Sequence, residues 1–243
     1  MAKRPIFRPD PDDALVEECL VEFEWFPGFA TVQKQRSIES LHVAAVVEVG
    51  LTQLLEVSTK SPEHLGVRLS AFNLFVNLPG RERPVLLEAA FQGSKVFAGQ
   101  GPFVHLYGIA SGKEVKRYMK ELPPDRLVGF RLAGHDWDLS PKTAFYDWLY
   151  LSGLRQLADI DDSIDEALIG YDAFTDIEFN PQKSINCQAR SCALYVALLR
   201  KGILRDALST PESFIEVLLD HGYGIEPVQG QFLCPAQSAQ VDA

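Results

Sequence analysis

The segment "KSINCQARSCALYVALLRKG" (183–202) sets the first constraint on the fold. Ile185, Ala189, Cys192, Tyr195, Val196 and Leu199 recur at spacings of three and four, the period of one helical face, and Gly202 suits its end. A stripe this apolar needs other apolar surface to cover it, so the segment predicts a core helix. With 243 residues the chain is long enough to supply that cover. Its apolar residues, 47% of the total, are spread along the chain. No run approaches the roughly 18 residues a membrane helix requires.

More helices are predicted around it. "VQKQRSIESLHVAAVVEVG" repeats Ile38, Leu41, Ala45 and Val49 on one side, and "LTQLLEVS" continues it. "LLEAAFQGSK" (86–95) is apolar and helical, and "SGKEVKRYMKEL" reads as a surface helix. In "SPKTAFYDWLYLSGLRQL", Ser140 is positioned to cap and Pro141 suits the first turn. A short helix at Ile164 to Ile169 and one at "TPESFIEVLLDHG", capped by Thr210, complete the set. Strands are expected in "LVEECLVEFEWF", "VRLSAFNLFV", "DRLVGFRL" and "AFTDIEFN". They follow no regular βαβ order, and no repeat or linker divides the chain. This pattern favours one helix-rich α+β domain, at 13–225. Residues 1–12 read as an irregular arm and 226–243 as a frayed tail.

The net charge of −10 argues against a protein that tracks nucleic acid by its phosphates. If this chain acts on nucleic acid, it must grip a local feature. The start "MAKRPIFRPD" lacks the apolar segment of a secretory signal. Four cysteines without a CxxC pair suggest reduced thiols and a cytoplasmic location. Five histidines form no HxH or HxxxH, so no metal is expected. Glycine-rich phosphate loops and GxSxG are absent, and no cofactor is implied.

Three polar sets remain as candidate chemistry. Glu88, Gln92 and Lys95 fall at helical spacing in a very apolar segment. Spacing alone fits a solvated face best. However, Glu88 and Lys95 are the only ionisable side chains between Pro84 and Gly99, which favours a pocket wall. Gln33, Lys34, Gln35, Arg36 and Ser37 open the first long helix. They are either an exposed first turn or, with the helix N-terminus, a phosphate site. Asp176, Glu178, Asn180, Lys183, Asn186 and Gln188 precede the core helix as turn residues or as readers of a polar ligand. "FYDWLY" reads as core.

"LLEAAFQGSKVF" resembles the hallmark of the NADAR (YbiA-like) family, a Glu followed by an aromatic-Gln-x-x-Lys turn, here Glu88, Phe91, Gln92 and Lys95. "LSAFN", with Ser70, Phe72 and Asn73, is similar to the strand the family carries just upstream. A second family block has a counterpart placed first, in Lys34, Ile38, Glu56, Ser58, Leu65 and Gly66. The chain thus resembles a circularly permuted member of YbiA-like type. "FEWFPGF", "FYDWLY" and "FTDIEFNPQKSINCQA" resemble the subgroup of antitoxins partnered with DarT-type DNA ADP-ribosyltransferase toxins.

That resemblance implies an N-glycosidase that removes ADP-ribose from guanine bases in DNA, with a cognate DarT-type toxin as possible partner. It implies Glu88 as the catalytic carboxylate. Lys34, then Lys95, are the amines able to form a Schiff base with a ring-opened sugar. Arg36 would hold the pyrophosphate, and Ser70, Asn73, Gln92, Asp176 and Asn186 would read hydroxyls and the guanine edge. Phe72 or Trp25 would stack on a base. Two alternatives are an N-glycosidase of a riboflavin-pathway intermediate and a non-catalytic antitoxin that binds its toxin.

Overall fold

Residues 2–10 form a strand, which corrects the irregular arm expected there. In the computed structural model, residues 1–10 and 12–223 are described. In chain order the elements are β1 (Ala2–Asp10), β2 (Leu15–Phe23), α1 (Thr31–Val49), β3 (Leu54–Glu56), α2 (His64–Arg68), β4 (Phe75–Val76), β5 (Val85–Leu86), α3 (Leu87–Gly93) and β6 (Lys95–Phe97). A 3-10 turn follows at Val104–Gly108. The chain continues through α4 (Gly112–Glu121), β7 (Leu127–Leu132), β8 (His135–Trp137), α5 (Ala144–Ile160), α6 (Ser163–Ile169), β9 (Ala173–Thr175), α7 (Gln188–Lys201), α8 (Leu204–Ala207) and α9 (Pro211–Asp220). Among the described residues no helix is long and apolar enough to cross a membrane.

The architecture is α+β. One sheet runs β2-β1-β9-β3, with β3 and β9 parallel and the other neighbours antiparallel. A small antiparallel sheet joins β6, β7 and β8, and β4 pairs with β5. Side chains alternate across the four-stranded sheet. Ile6, Leu54 and Ala173 face α1, where Ile38, Leu41 and Ala45 meet them. Their neighbours Phe7, Leu55 and Phe174 face the larger core with α7.

The predicted core helix is α7, which begins at Gln188 and is buried from Ala189 to Leu198 apart from Arg190. It is therefore covered on nearly all sides and is no one-faced stripe. Ile185 precedes it and is exposed.

Several local expectations are corrected. The first long helix stops at Gly50, whose φ of 74° ends it, and "LTQLLEVS" becomes β3. The predicted strand "VRLSAFNLFV" starts in α2, turns at 70–73 and is extended only at β4. Thr143, not Ser140, is the cap residue of α5. Cys187 and Cys192 are buried free thiols, as expected. The expected tail, with Cys234, lies outside the described residues.

Candidate functional site

A cleft of about 970 Å³ opens between α3, α4, the start of α5 and the segment from Asp176 to Gln188. The Glu88 helix ends at Gly93, so the stripe of three divides. Glu88 and Gln92 stand on α3, while Lys95 is the first residue of β6. All three line the cleft.

Glu88 and Gln92 are buried, at 5% and 9% exposure, which removes the solvated-face reading. Gln92 Nε2 donates to Glu88 Oε1 at 3.0 Å, a contact their i,i+4 spacing makes possible. Lys116 Nζ approaches the same oxygen at 3.8 Å. Among the described residues no side chain or amide is hydrogen-bonded to Oε2. Burial lowers the Lys95 ammonium below the usual lysine range, the Glu88 carboxylate opposes that, and Lys116 adds to it. Lys95 and Lys116 each lie over an aromatic face, Phe91 at 5.0 Å and Phe72 at 4.4 Å, the arrangement of a cation–π contact.

The turn before α3 is what carries Phe72 into the cleft. Ser70 O accepts from the Asn73 and Leu74 amides, and Asn73 Nδ2 donates to Val67 O at 2.8 Å. The Glu88 amide bonds Ala71 O at 3.2 Å, which fixes the start of α3 to this turn. α4 then closes over it. A Cβ on Gly112 would lie 2.5 Å from the Phe72 ring, so only glycine permits the approach that brings Lys116 to Glu88.

A second carboxylate lies across the cleft. Asp176 Oδ1 accepts from the Glu178 and Phe179 amides at 3.0 and 3.2 Å. Burial, and then the neighbouring Glu56, push its carboxyl up to about 8 against those bonds and the Gln188 side chain. Gln188 Oε1 in turn accepts from the Ala71 amide at 2.8 Å, so one side chain joins the two walls. Tyr146 also lines the cleft, within electrostatic reach of both Glu88 and Asp176. Burial holds its phenol well above its ordinary range.

Of the residues named from the sequence, Glu88, Gln92, Lys95, Phe72, Asp176 and Asn186 meet at this cleft. Ser70 and Asn73 build its turn without lining it, and Asn73 faces a separate groove beside Arg68 and Phe75. Arg36 is exposed, with its guanidinium 4.1 Å from the Phe26 ring centre. Lys34 stands one layer behind: its ammonium meets Glu178 Oε1 at 3.0 Å and lies 4.8 Å from the centre of the Trp25 ring, and Glu178 lines the cleft. Sequence reasoning missed Lys116 and Tyr146. The glycine that opens α4 and the aromatic density of "FYDWLY" were the available signals. Among the described residues no cluster of His, Cys, Asp or Glu is placed to hold a metal ion.

Fold and site together define an α+β domain with an open cleft of mixed polar and aromatic lining, walled by a buried carboxylate–amide pair and by lysines. The chain belongs to the NADAR antitoxins: the family model described as "DarT1-associated NADAR antitoxin" matches residues 2–224. No curated protein matches the chain.

Proposed function

We propose that the cleft binds ADP-ribose attached to a guanine base of DNA and hydrolyses the glycosylamine bond, so that the protein reverses the modification made by a DarT-type toxin. The observation that carries this reading is the state of Glu88. Its carboxylate is buried, one oxygen is held by Gln92, and the other has no donor among the described residues, in a side chain that lines the cleft. Breaking the N–C bond builds positive charge at the anomeric carbon, and a fixed carboxylate lowers the cost of that charge. Water adds its hydroxyl to that carbon and its proton to the guanine nitrogen. Glu88 stabilises the cation or accepts the water proton. Asp176, kept protonated towards pH 8, donates to the leaving nitrogen. Two carboxylates in different environments divide the acid and base tasks.

Lys95 is the amine we assign to the reacting sugar, because it lines the cleft and burial lowers its affinity for a proton. On a ring-opened sugar such an amine exchanges for the guanine nitrogen, which leaves as the free amine, and water then hydrolyses the lysine imine to return the lysine and free ADP-ribose. Lys34 acts through Glu178 to orient that wall. Lys116, beside Glu88, and Lys183 on the facing segment suit the two phosphates.

The test is purified protein with ADP-ribosylated guanine in single-stranded DNA. Release of free ADP-ribose is expected. No release from that substrate, with release from a riboflavin-pathway N-glycoside, would move the site to the other substrate class. Protection of cells from the toxin by both Glu88→Ala and Lys95→Ala would point to neutralisation by binding alone.

A further inference from the structure

The reaction engages one nucleotide, and the strand on either side must lie somewhere on this acidic protein. α4 has the sequence GKEVKRYMKE. At 100° per residue, Lys113, Lys116, Arg117 and Lys120 fall within one arc of about 100°, and all four are exposed. Val115, which is buried, and Tyr118 and Met119, which pack on the core, lie on the opposite side. Glu114 and Glu121 sit together beside the arc and do not interrupt it. Among the described residues no carboxylate forms an ion pair with Lys113, Arg117 or Lys120.

The row meets the site at Lys116, which lies between Lys113 and Lys120 along the helix and at the edge of the arc. Lys116 is 3.8 Å from Glu88 and lines the cleft, and the first turn of α4 rests on Phe72. A surface helix with scattered charges would show neither the segregation nor the connection. In a chain of net charge −10, this helix gathers four cations on one exposed arc, and one of them reaches the carboxylate.

We infer that the exposed cationic face of α4 is the track for the sugar-phosphate backbone next to the modified nucleotide, with Lys113, Arg117 and Lys120 each meeting a phosphodiester of a single strand. This rests on the reading of the cleft as a site for a nucleotide in DNA. Neighbours three and four apart on a helix are about 5–6 Å apart, so the row can follow consecutive phosphates. Because these contacts are few, affinity for unmodified strand is weak and depends on salt.

The experiment compares wild type with the triple variant Lys113→Gln, Arg117→Gln, Lys120→Gln, leaving Lys116 intact. Binding of an unmodified single-stranded oligonucleotide of about 12 nucleotides is followed by fluorescence anisotropy across a salt series. Three contacts at about 0.7 each predict that the slope of log K against log salt falls by about 2, with at least a tenfold loss of affinity at about 50 mM salt. A variant carrying Lys113→Arg and Lys120→Arg keeps the wild-type slope. In the cleavage assay the triple variant raises KM for the modified oligonucleotide and leaves kcat/KM for the modified mononucleotide unchanged.

An unchanged slope and affinity in the triple variant would overturn the track and would point to a protein partner for this face. Equal losses on the mononucleotide and the oligonucleotide would also overturn it, since the row would then act within the cleft. Should wild type cleave neither substrate, the hydrolase reading fails, while the anisotropy series still decides the track.

Discussion

Glu56 and Glu88 are both buried carboxylates, and they could hardly be used more differently. Glu56 is fully enclosed. Ser58 Oγ and the Ile177 amide donate to its Oε1 at 2.6 and 2.9 Å, and Thr175 Oγ1 donates to Oε2 at 2.7 Å. Each oxygen is occupied by the protein, and β3 is locked to β9 through side chains as well as backbone. Among the described residues Glu88 has one side-chain hydrogen-bond donor, Gln92, and it faces a cleft. Burial therefore does not identify a reactive carboxylate. What does is an oxygen left without a protein partner in a place a ligand can reach.

Glu88→Gln gives the largest expected effect. The amide keeps the bond to Gln92 and the side-chain volume, so the melting temperature stays within about 1 °C, while ADP-ribose release falls by about 10²- to 10⁴-fold, the range for a group acting on a proton or charge in the transition state. Glu56→Ala is expected to do the reverse. It strands three buried donors at about 1–3 kcal/mol each, so urea unfolding should show a loss of about 3 kcal/mol or more, with the surviving folded fraction still turning over. If Glu56→Ala abolished turnover in protein of wild-type stability, the two carboxylates would not be divided as described.

Lys95→Gln is the next step down, with about a tenfold fall in kcat. Borohydride reduction during turnover should trap a sugar adduct on wild type and on Lys34→Ala but not on Lys95→Gln, as read by intact mass. The opposite pattern would transfer the amine role to Lys34.

A further prediction concerns pH. Asp176 is raised to about 8 in the folded protein, whereas the unfolded chain ionises it near 3.9. Between those values the folded state holds more protons at this site, so the contribution of Asp176 to stability falls as pH rises from about 4 to 8. His42, lowered to about 4 by burial, acts oppositely. Its unfolded form takes up the proton first, so its contribution rises with pH from about 4 to 6.5. Asp176→Asn removes only the Asp176 contribution. The variant should gain stability on wild type steadily from pH 5 to pH 8 in urea melts, and a constant difference across that range would reject a protonated Asp176.

The same contrast explains what was legible in the sequence. Glu88 and Gln92 could be seen because their relation is local: four residues on a helix become a hydrogen bond. The core helix and the Thr210 cap were legible for the same reason. Lys116 was not, because its role comes from a helix docking on Phe72, across 40 residues of chain. β1 was hidden by Pro5 and Pro9, which are poor strand residues. They are tolerated because β9 reaches β1 only at Phe7, so most of that strand has β2 as its single partner. "LTQLLEVS" misled because its apolar spacing suits a helix and a buried strand alike, and Gly50 alone separates the two.

The position of β1 in the sheet has a consequence for synthesis. Residues 2–10 are synthesised well before 173–175, the strand that joins them to β3. At about 5–20 residues per second, this wait lasts on the order of 10–30 s. The carboxylate at 176 arrives with that last strand, so a nascent or prematurely ended chain carries only half of the cleft. The two walls of the cleft therefore come together only after the strand at 173–175 has been made.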